Sequence, residues 1–156
     1  MKARFIPIFC LLLLIVPISC GEKPKTLLPT TTMQIGSGNF VLEKAINFHD
    51  QAVGLMHRDT LDPGYGMIFI CQKDQPQTFW NHDTHFDLDL IFVDSKSRIV
   101  DFKKLKAYDE TPVPSSAPAQ FVIELSSGTV ARVGVKIGDT ITLPGDVLDA
   151  AHHAPD

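Results

Sequence analysis

The sequence predicts one compact domain of the α+β, mainly β class. Short, mostly antiparallel strands would form a barrel-like or folded sheet, with one or two short helices. The 156 residues suffice for a single domain with its own core. Short segments rich in β-branched and aromatic residues recur along the chain. Turn-forming residues separate these segments at close intervals, which leaves little room for long helices.

The first residues have the pattern of an export signal. Lys2 and Arg4 supply positive charge, and residues 5–18 are almost entirely apolar, ending just before Cys20. This apolar run is shorter than the roughly 20 residues that a membrane-spanning helix needs. We therefore predict a signal peptide over residues 1–19.

The pair Ser19–Cys20 resembles a bacterial lipobox, although Pro17 stands where that pattern usually has Leu. The resemblance implies a lipid on Cys20, followed by a flexible tether over residues 20–32. The mature protein would then be an exported lipoprotein, anchored in a membrane and facing the periplasm or the cell surface. The alternative is an ordinary signal peptide that happens to contain a cysteine.

The β-rich domain is predicted over residues 33–145. NFVLEKA (39–45) indicates a strand, and the segment that follows it a short helix capped by Asn47 or Asp50. LDPGYG is a turn, MIFIC a short buried strand, and LDLIFVD a strand that the DSKSR hairpin loop joins to IVDFKKL. TPVPSSAP indicates a surface loop, QFVIEL a strand, SSGTVARVGV a turn or short helix, and DTITL a last strand. The tail over 146–156 has no pattern that predicts an element.

Charge and cysteine content narrow the classes of function. Loss of Lys2 and Arg4 with the signal peptide lowers the formal net charge from −4 to −6. A mildly acidic domain without a basic cluster has no electrostatic reason to bind nucleic acid. Cys10 would leave with the signal and Cys20 would be acylated, so no disulfide can form within the monomer. The remaining Cys71 follows an apolar run, which favours a buried and inert thiol.

Three phrases in order carry a family resemblance: VGLMHRDTLDPGYGMIFI, TFWNHDTHFDLDLIFVDSKSRIV and FVIELSSGTVARVGVKIGDTITL. Together they resemble the bacterial and archaeal family known as domain of unknown function 192, over nearly all of residues 40–144. The resemblance implies a compact β-rich fold with short helices, and it implies no reaction. The family's recurrent residues fall here on Gly54, Leu55, Met56, Arg58, Gly66, Met67, Phe79, Trp80, Thr84, Leu88, Asp89, Glu124, Gly128, Gly138 and Asp139.

The chain departs from the family pattern within its second phrase. After Phe-Trp the family usually has Met, a basic residue and Asn, whereas this chain has Asn81, His82 and Asp83. Asp87 stands where the family favours Pro. If this segment is extended from His85 onward, then His85, Asp87 and Asp89 share one face and large apolar residues occupy the other.

The leading hypothesis is a non-catalytic binding pocket. Arg58, Trp80, Thr84, Asp89 and Glu124 together offer a planar cation, an aromatic face, a hydroxyl and two carboxylates. This combination suits a small polar ligand, carbohydrates included, because rings stack on Trp while charged groups bind hydroxyls. A protein partner would suit the same surface. No cofactor is expected.

Two alternatives involve catalysis. In the first, Asp89 or Glu124 acts as an acid or base with Arg58 as the counter-charge, as in a hydrolase. In the second, His82 and His85 contribute to a metal-dependent enzyme, with Asp87 as a further ligand. Against a tight zinc site, histidines three residues apart on an extended strand point to opposite faces.

The remaining alternative is architectural. Asp89 would neutralise Arg58 inside the fold and Trp80 would belong to the core, as in a purely structural envelope protein. A buried Asp89–Arg58 pair is therefore a specific expectation, because both positions recur in the family pattern.

Acylation at Cys20 predicts a membrane-bound protein. Expressed with its own signal in a bacterium, the chain should partition into the detergent phase, because the lipid anchors it. Cys20→Ser should move it to the aqueous phase, and Cys71→Ser is the matched control that should not. A Cys20→Ser protein that stays in the detergent phase would contradict the lipid anchor.

Overall fold

The structure is a computed structural model that describes residues 28–153, so the predicted signal peptide and Cys20 lie outside the described residues. In chain order its elements are β1 (Thr30–Ile35), β2 (Gly38–Ala45), α1 (Phe48–Val53), β3 (Tyr65–Gln75), β4 (Thr78–Phe79), β5 (Leu88–Val93), β6 (Ile99–Leu105), β7 (Val113–Pro114), β8 (Ala119–Ser126), α2 (Thr129–Val133) and α3 (Gly145–His153).

Six of the strands form one mixed sheet in the order β1-β2-β3-β8-β5-β6, and β4 pairs with β7 in a separate two-stranded ladder. Strands β2 and β3 run parallel, whereas the other neighbouring pairs are antiparallel. The predicted α+β, mainly β class is confirmed. The sheet is open, with β1 and β6 at its edges, and does not close into a barrel.

One face of the sheet, the helix face, is covered by α2 and α3. Ile68, Ile91 and Ile123 lie side by side on β3, β5 and β8 and belong to one apolar cluster with Val133 of α2 and Val147 of α3. Side chains alternate along each strand, so the residues next to these point to the opposite face.

The opposite face, the pocket face, has its own apolar cluster. Met67 and Phe69 on β3 pack with Val122 on β8 and Leu90 on β5, and Leu55 after α1 covers them. Each strand in the middle of the sheet is therefore buried on both sides, which is why β5 consists of six consecutive buried residues.

Helix α1 begins after Asn47, one of its two predicted caps. Asn47 is its N-cap, and Asn47 Oδ1 accepts a hydrogen bond from Asp50 N at 2.9 Å. Gly54 ends the helix with its N–H donating to Asp50 O at 2.8 Å. The short helix predicted within SSGTVARVGV is confirmed as α2.

The prediction of a last strand over DTITL is wrong. This segment makes only an isolated bridge between Arg98 and Thr140. Ile141 N donates to Ser97 O, which lies in the hairpin loop between β5 and β6 rather than in a strand. Pro144 then follows without an N–H, so no ladder continues.

Four elements were not predicted: the two-residue strands β4 and β7, of which β7 lies within the predicted TPVPSSAP loop, and also β1 and α3. Strand β1 begins at Thr30, within the segment expected to be a tether, and its strict alternation of exposed and buried residues fits a half-buried edge strand. Helix α3 occupies most of the tail, where Val147 is its only fully buried residue and the small side chains of Ala150 and Ala151 pack against the core in part, so the apolar signal in its sequence is weak. Within residues 28–153, none of the three helices is long and apolar enough to cross a membrane.

Candidate functional site

A pocket of about 270 Å³ opens on the pocket face of the sheet. It lies between α1 with the residues that follow it and the segment that contains β4. Four aromatic rings, several aliphatic side chains and a few polar groups line it: Phe48, Gln51, Ala52, Val53, Gly54, Leu55, Met56, Phe69, Cys71, Gln77, Thr78, Phe79, Trp80, Asn81, Thr84 and Glu124. Within residues 28–153, no Lys, Arg or His lines this pocket, and the ionisable side chains of its lining are Glu124 and Cys71.

Gly54 allows α1 to approach the sheet beside the pocket. Its φ of 51° lies in the left-handed region, where a side chain would be strained. A Cβ at this position would also lie 3.3 Å from the Phe69 ring and 4.0 Å from Glu124 Oε2. Glycine therefore both ends the helix and keeps this wall of the pocket clear.

Glu124 sits in the middle of the pocket face. In the register of the sheet, Glu43 on β2 lies beside Met67 on β3, Met67 beside Glu124 on β8, and Glu124 beside Leu90 on β5. The Glu124 side chain thus emerges between two apolar neighbours, and the residue is only 4% exposed. Among residues 28–153, no group donates a hydrogen bond to its carboxyl or forms an ion pair with it within 4.0 Å.

Arg58 binds the other carboxylate of this row. Its Nη1 and Nη2 donate to Glu43 Oε1 and Oε2, the second at 3.0 Å, in a two-point contact. Glu43 is 3% exposed, so this ion pair is buried. Glu43 Oε2 also accepts a hydrogen bond from Leu28 N at 3.0 Å. Arg58 Nε is buried, and it donates to no acceptor in the described part of the chain.

Burial raises the pKa of Glu124 to about 8, because desolvation disfavours the charged carboxylate. The positive charge of Arg58 acts in the opposite direction and lowers this pKa in part. Two strand spacings, roughly 10 Å, separate the Glu43 and Glu124 backbones, and Glu43 already neutralises Arg58. Glu124 is therefore mostly protonated at neutral pH.

Trp80 and Thr84 line the pocket from the segment between β4 and β5. Trp80 is 48% exposed, so it does not belong to the core, contrary to the architectural alternative. Thr84 is buried, and its hydroxyl donates to His82 O at 3.0 Å. Asn81 holds this segment in place, because its Nδ2 donates to Phe86 O at 3.0 Å and to Lys106 O at 2.8 Å.

Cys71 also lines the pocket, but it lies far from Glu124. It lies on β3 four residues beyond Met67, which is the residue that pairs with Glu124. Four residues of a strand span roughly 13 Å. Burial raises the pKa of the Cys71 thiol to about 11, so the thiolate is scarce at neutral pH. The thiol is only partly buried, so the burial that the sequence predicts is incomplete.

The predicted pair between Asp89 and Arg58 is wrong. Asp89 faces the helix side of the sheet, where its Oδ2 accepts a hydrogen bond from Val130 N at 2.9 Å in the first turn of α2. Asp89 is buried, and it satisfies a backbone N–H that the start of the helix would otherwise leave without a partner. Arg58 lies on the opposite face, where its partner is Glu43.

The histidines lie on the surface beside the pocket. The expectation that His85 and Asp87 extend the face of Asp89 is wrong, because the strand begins only at Leu88. Asp87 Oδ1 instead accepts a hydrogen bond from Ala107 N at 2.8 Å. The ring of His85 stacks on Tyr108, with the ring centroids 5.2 Å apart.

His82 Nδ1 lies 2.6 Å from Glu110 Oε1, and this hydrogen bond raises the pKa of His82. In the described part of the chain, no three or more His, Cys, Asp and Glu side chains are grouped as a metal ion requires. His82, His85 and Asp87 are thus placed separately, each with its own partner.

Of the five residues predicted to form a pocket, Trp80, Thr84 and Glu124 line the same one. Arg58 does not line the pocket and influences it only through the guanidinium charge. Asp89 lies on the opposite side of the sheet, the helix face. Sequence reasoning missed Glu43, the partner of Arg58. The available signal was its position in NFVLEKA, where it shares a strand face with the apolar Val41 and Ala45.

The sheet and its pocket define a small β-rich domain with a cavity over a buried carboxyl. The chain belongs to the family of domain of unknown function 192, described as "Uncharacterized ACR", which matches it over residues 31–143. The family resemblance seen in the sequence is therefore confirmed. No curated protein matches the chain significantly.

Two solved structures resemble the chain in sequence and fold. One is a protein of unknown function from Novosphingobium aromaticivorans DSM 12444, with 36% identity and a TM-score of 0.69 over 78% of this chain and 90% of that one. The other, described as "a putative transcription regulator" from Sinorhizobium meliloti 1021, has 30% identity and a TM-score of 0.66, over 71% of this chain and 89% of that one.

The Arg58–Glu43 pair predicts strong coupling in a double-mutant cycle. Arg58→Met and Glu43→Gln should each cost about 3–5 kcal/mol of unfolding free energy, because each removes one member of a buried ion pair. The double variant should cost clearly less than the sum, as measured by urea denaturation. Arg58→Met and Asp89→Asn should instead be additive within about 0.5 kcal/mol, because they share no partner. Additivity of the first pair would contradict the buried ion pair.

The buried carboxyl predicts a pH dependence of stability. The pKa of folded Glu124, about 8, lies above its ordinary value of 4.5, so its stabilising effect is complete below pH 4.5 and is lost as the pH rises through 8. Between pH 5 and 8 the wild type should lose a few kcal/mol relative to Glu124→Gln, since one pH unit corresponds to about 1.4 kcal/mol.

Urea midpoints at a series of pH values measure this difference. Glu110→Gln is the matched control, because it removes an exposed carboxylate and the cause of the raised pKa of His82 while leaving Glu124 in place. Parallel pH profiles for the wild type and Glu124→Gln would show that Glu124 is not buried as described.

Proposed function

We propose that the protein is a non-catalytic binding module that takes one small ligand in the pocket over Glu124. The observation that carries this proposal is a pocket of about 270 Å³ whose lining includes a carboxyl, 4% exposed, that has no hydrogen-bond partner among residues 28–153. The Glu124 oxygens are not among the fully buried polar atoms without a partner, so they are accessible from the pocket. A ligand that bonds to Glu124 would compensate for the desolvation that raises its pKa.

The size and lining of the pocket favour a small and largely apolar ligand. An apolar cavity of about 150 Å³ holds a benzene-sized molecule, so this pocket suits a ligand of one ring with a short polar group. A carbohydrate would require a polar partner for each of several hydroxyls. The lining supplies Gln77, Asn81, Thr84 and Glu124, but Asn81 and Thr84 already form hydrogen bonds within the fold.

The hydrolase-like alternative has one observation in its favour, the raised pKa of Glu124. A carboxyl with a pKa near 8 is suited to proton transfer at neutral pH. Acid/base catalysis with a covalent step also needs a nucleophile beside the base. Cys71 is the thiol in the pocket, but it lies roughly 13 Å along the sheet from Glu124, and its pKa is about 11. The geometry therefore supports binding better than catalysis.

Export and lipid attachment at Cys20 complete the proposal. The pattern of residues 1–20 supports a membrane-anchored lipoprotein that holds its pocket outside the cytoplasm, facing the periplasm or the cell surface. The net charge of −4 for the chain gives no electrostatic support for nucleic acid as a partner.

Ligand binding should change the fluorescence of Trp80, the single Trp of the chain, because it lines the pocket. We expect binding from a set of one-ring fragments that includes cationic, neutral and anionic members. Ala52→Phe should weaken the binding of each positive fragment at least tenfold, because Ala52 is exposed and lines the pocket, so the added ring narrows it.

Ala131→Phe is the control for this experiment, because Ala131 is also an exposed alanine on a short helix and lies outside the pocket lining. Both variants should unfold within about 0.5 kcal/mol of the wild type, as surface substitutions do. If no fragment changes the Trp80 signal, or if the two variants bind equally, the pocket is not a ligand site.

A further inference from the structure

We infer that the ligand of this pocket is an organic cation: a small molecule with one aromatic or aliphatic body and an ammonium group that pairs with Glu124. This inference rests on the proposed function and names the chemical class of its ligand. Its first ground is the charge of the lining. In the described part of the chain, Glu124 is the acid that lines the pocket, and no basic side chain lines it.

The second ground is the aromatic character of the lining. Phe48, Phe69, Phe79 and Trp80 contribute four rings. Phe69 and Phe79 meet edge to face, with ring centroids 4.9 Å apart and an angle of 89° between the planes. Aromatic faces attract ammonium groups, and pockets for such ligands combine several rings with few other polar partners. An anionic ligand would meet these rings and Glu124 unfavourably.

The third ground is the set of charges around Glu124. Glu43 on β2 lies on the same face of the sheet as Glu124, and Arg58 in the segment after α1 binds it, so these two charges neutralise each other. From β3 and β5, Met67 and Leu90 carry no charge. Cys71 has a pKa of about 11 and stays neutral. A ligand cation that replaces the proton of Glu124 therefore leaves the net charge of the site unchanged.

This exchange defines a measurable linkage. Glu124 has a pKa of about 8, so it holds a proton at pH 6 and 7, and the bound cation requires the carboxylate. Each binding event well below pH 8 therefore releases about one proton. The affinity of a permanent cation should rise about tenfold per pH unit between pH 6 and 7 and become constant above about pH 9.

The test compares three probes of one shape and different charge: benzyltrimethylammonium, benzyl alcohol and benzoate. Benzyltrimethylammonium cannot release a proton itself, so any proton released comes from the protein. Calorimetric titration in two buffers of different ionisation enthalpy counts this proton. We expect benzyltrimethylammonium to bind at least tenfold more tightly than the other two probes at pH 8, with the stated rise in affinity from pH 6.

Glu124→Gln should weaken the binding of benzyltrimethylammonium at least tenfold at pH 8 and abolish its pH dependence, because the amide cannot become an anion. Glu110→Gln, which removes an exposed carboxylate outside the pocket lining, should change neither. Urea midpoints establish that both variants are folded.

The outcomes separate the two proposals. Tighter binding of benzyl alcohol or benzoate, or binding of the cation that does not change with pH, would overturn the ammonium class and leave the pocket as a ligand site. If none of the three probes binds and the fragment set is also negative, both proposals fail together.

Discussion

The ion pair between Arg58 and Glu43 determines the electrostatic state of the pocket. Arg58 follows α1, Glu43 lies on β2, and their two-point contact fixes the segment after the helix to the sheet. The same contact occupies both terminal nitrogens of the Arg58 guanidinium. If Glu43 were neutral, the full charge of Arg58 would act on Glu124 and favour its carboxylate. Because Glu43 neutralises that charge, burial prevails and Glu124 keeps its proton.

The middle of the pocket face departs from the rules that govern the rest of the core. At the position of Glu124, a Leu or Met would bury more apolar surface and need no hydrogen bond. The surrounding strands tolerate the carboxyl because they are fixed by close packing. At Gly66, for example, a Cβ would lie only 2.3 Å from Glu124 O. Such local conflicts between residue type and environment are typical of functional sites in otherwise consistent folds.

The sequence predicted the elements with strong local signals and missed those that depend on tertiary contacts. Strand β5 and helix α1 could be predicted, because one is a run of apolar residues and the other has a side-chain cap. Helix α3 could not, because it buries one residue against the sheet. The same difference holds for the site. Trp80, Thr84 and Glu124 were identified from the sequence, whereas Glu43, the partner of Arg58, was missed because its position depends on the parallel pairing of β2 with β3. Local patterns carry no information about that pairing.

The hydrogen bond from Leu28 N to Glu43 Oε2 gives the start of the domain a direct connection to the site. The next strand begins at Thr30, which pairs with Glu43 itself. Three parts of the chain therefore meet at the Glu43 carboxylate: Leu28 before β1, strand β2 itself, and Arg58 in the segment after α1. A force that pulls on residues 28–30 would act on the hydrogen bond between Leu28 N and Glu43 Oε2. A displacement of β1 would therefore affect the electrostatics of the pocket. Detaching residues 28–30 would remove one of the hydrogen bonds that hold Glu43 and loosen its hold on Arg58.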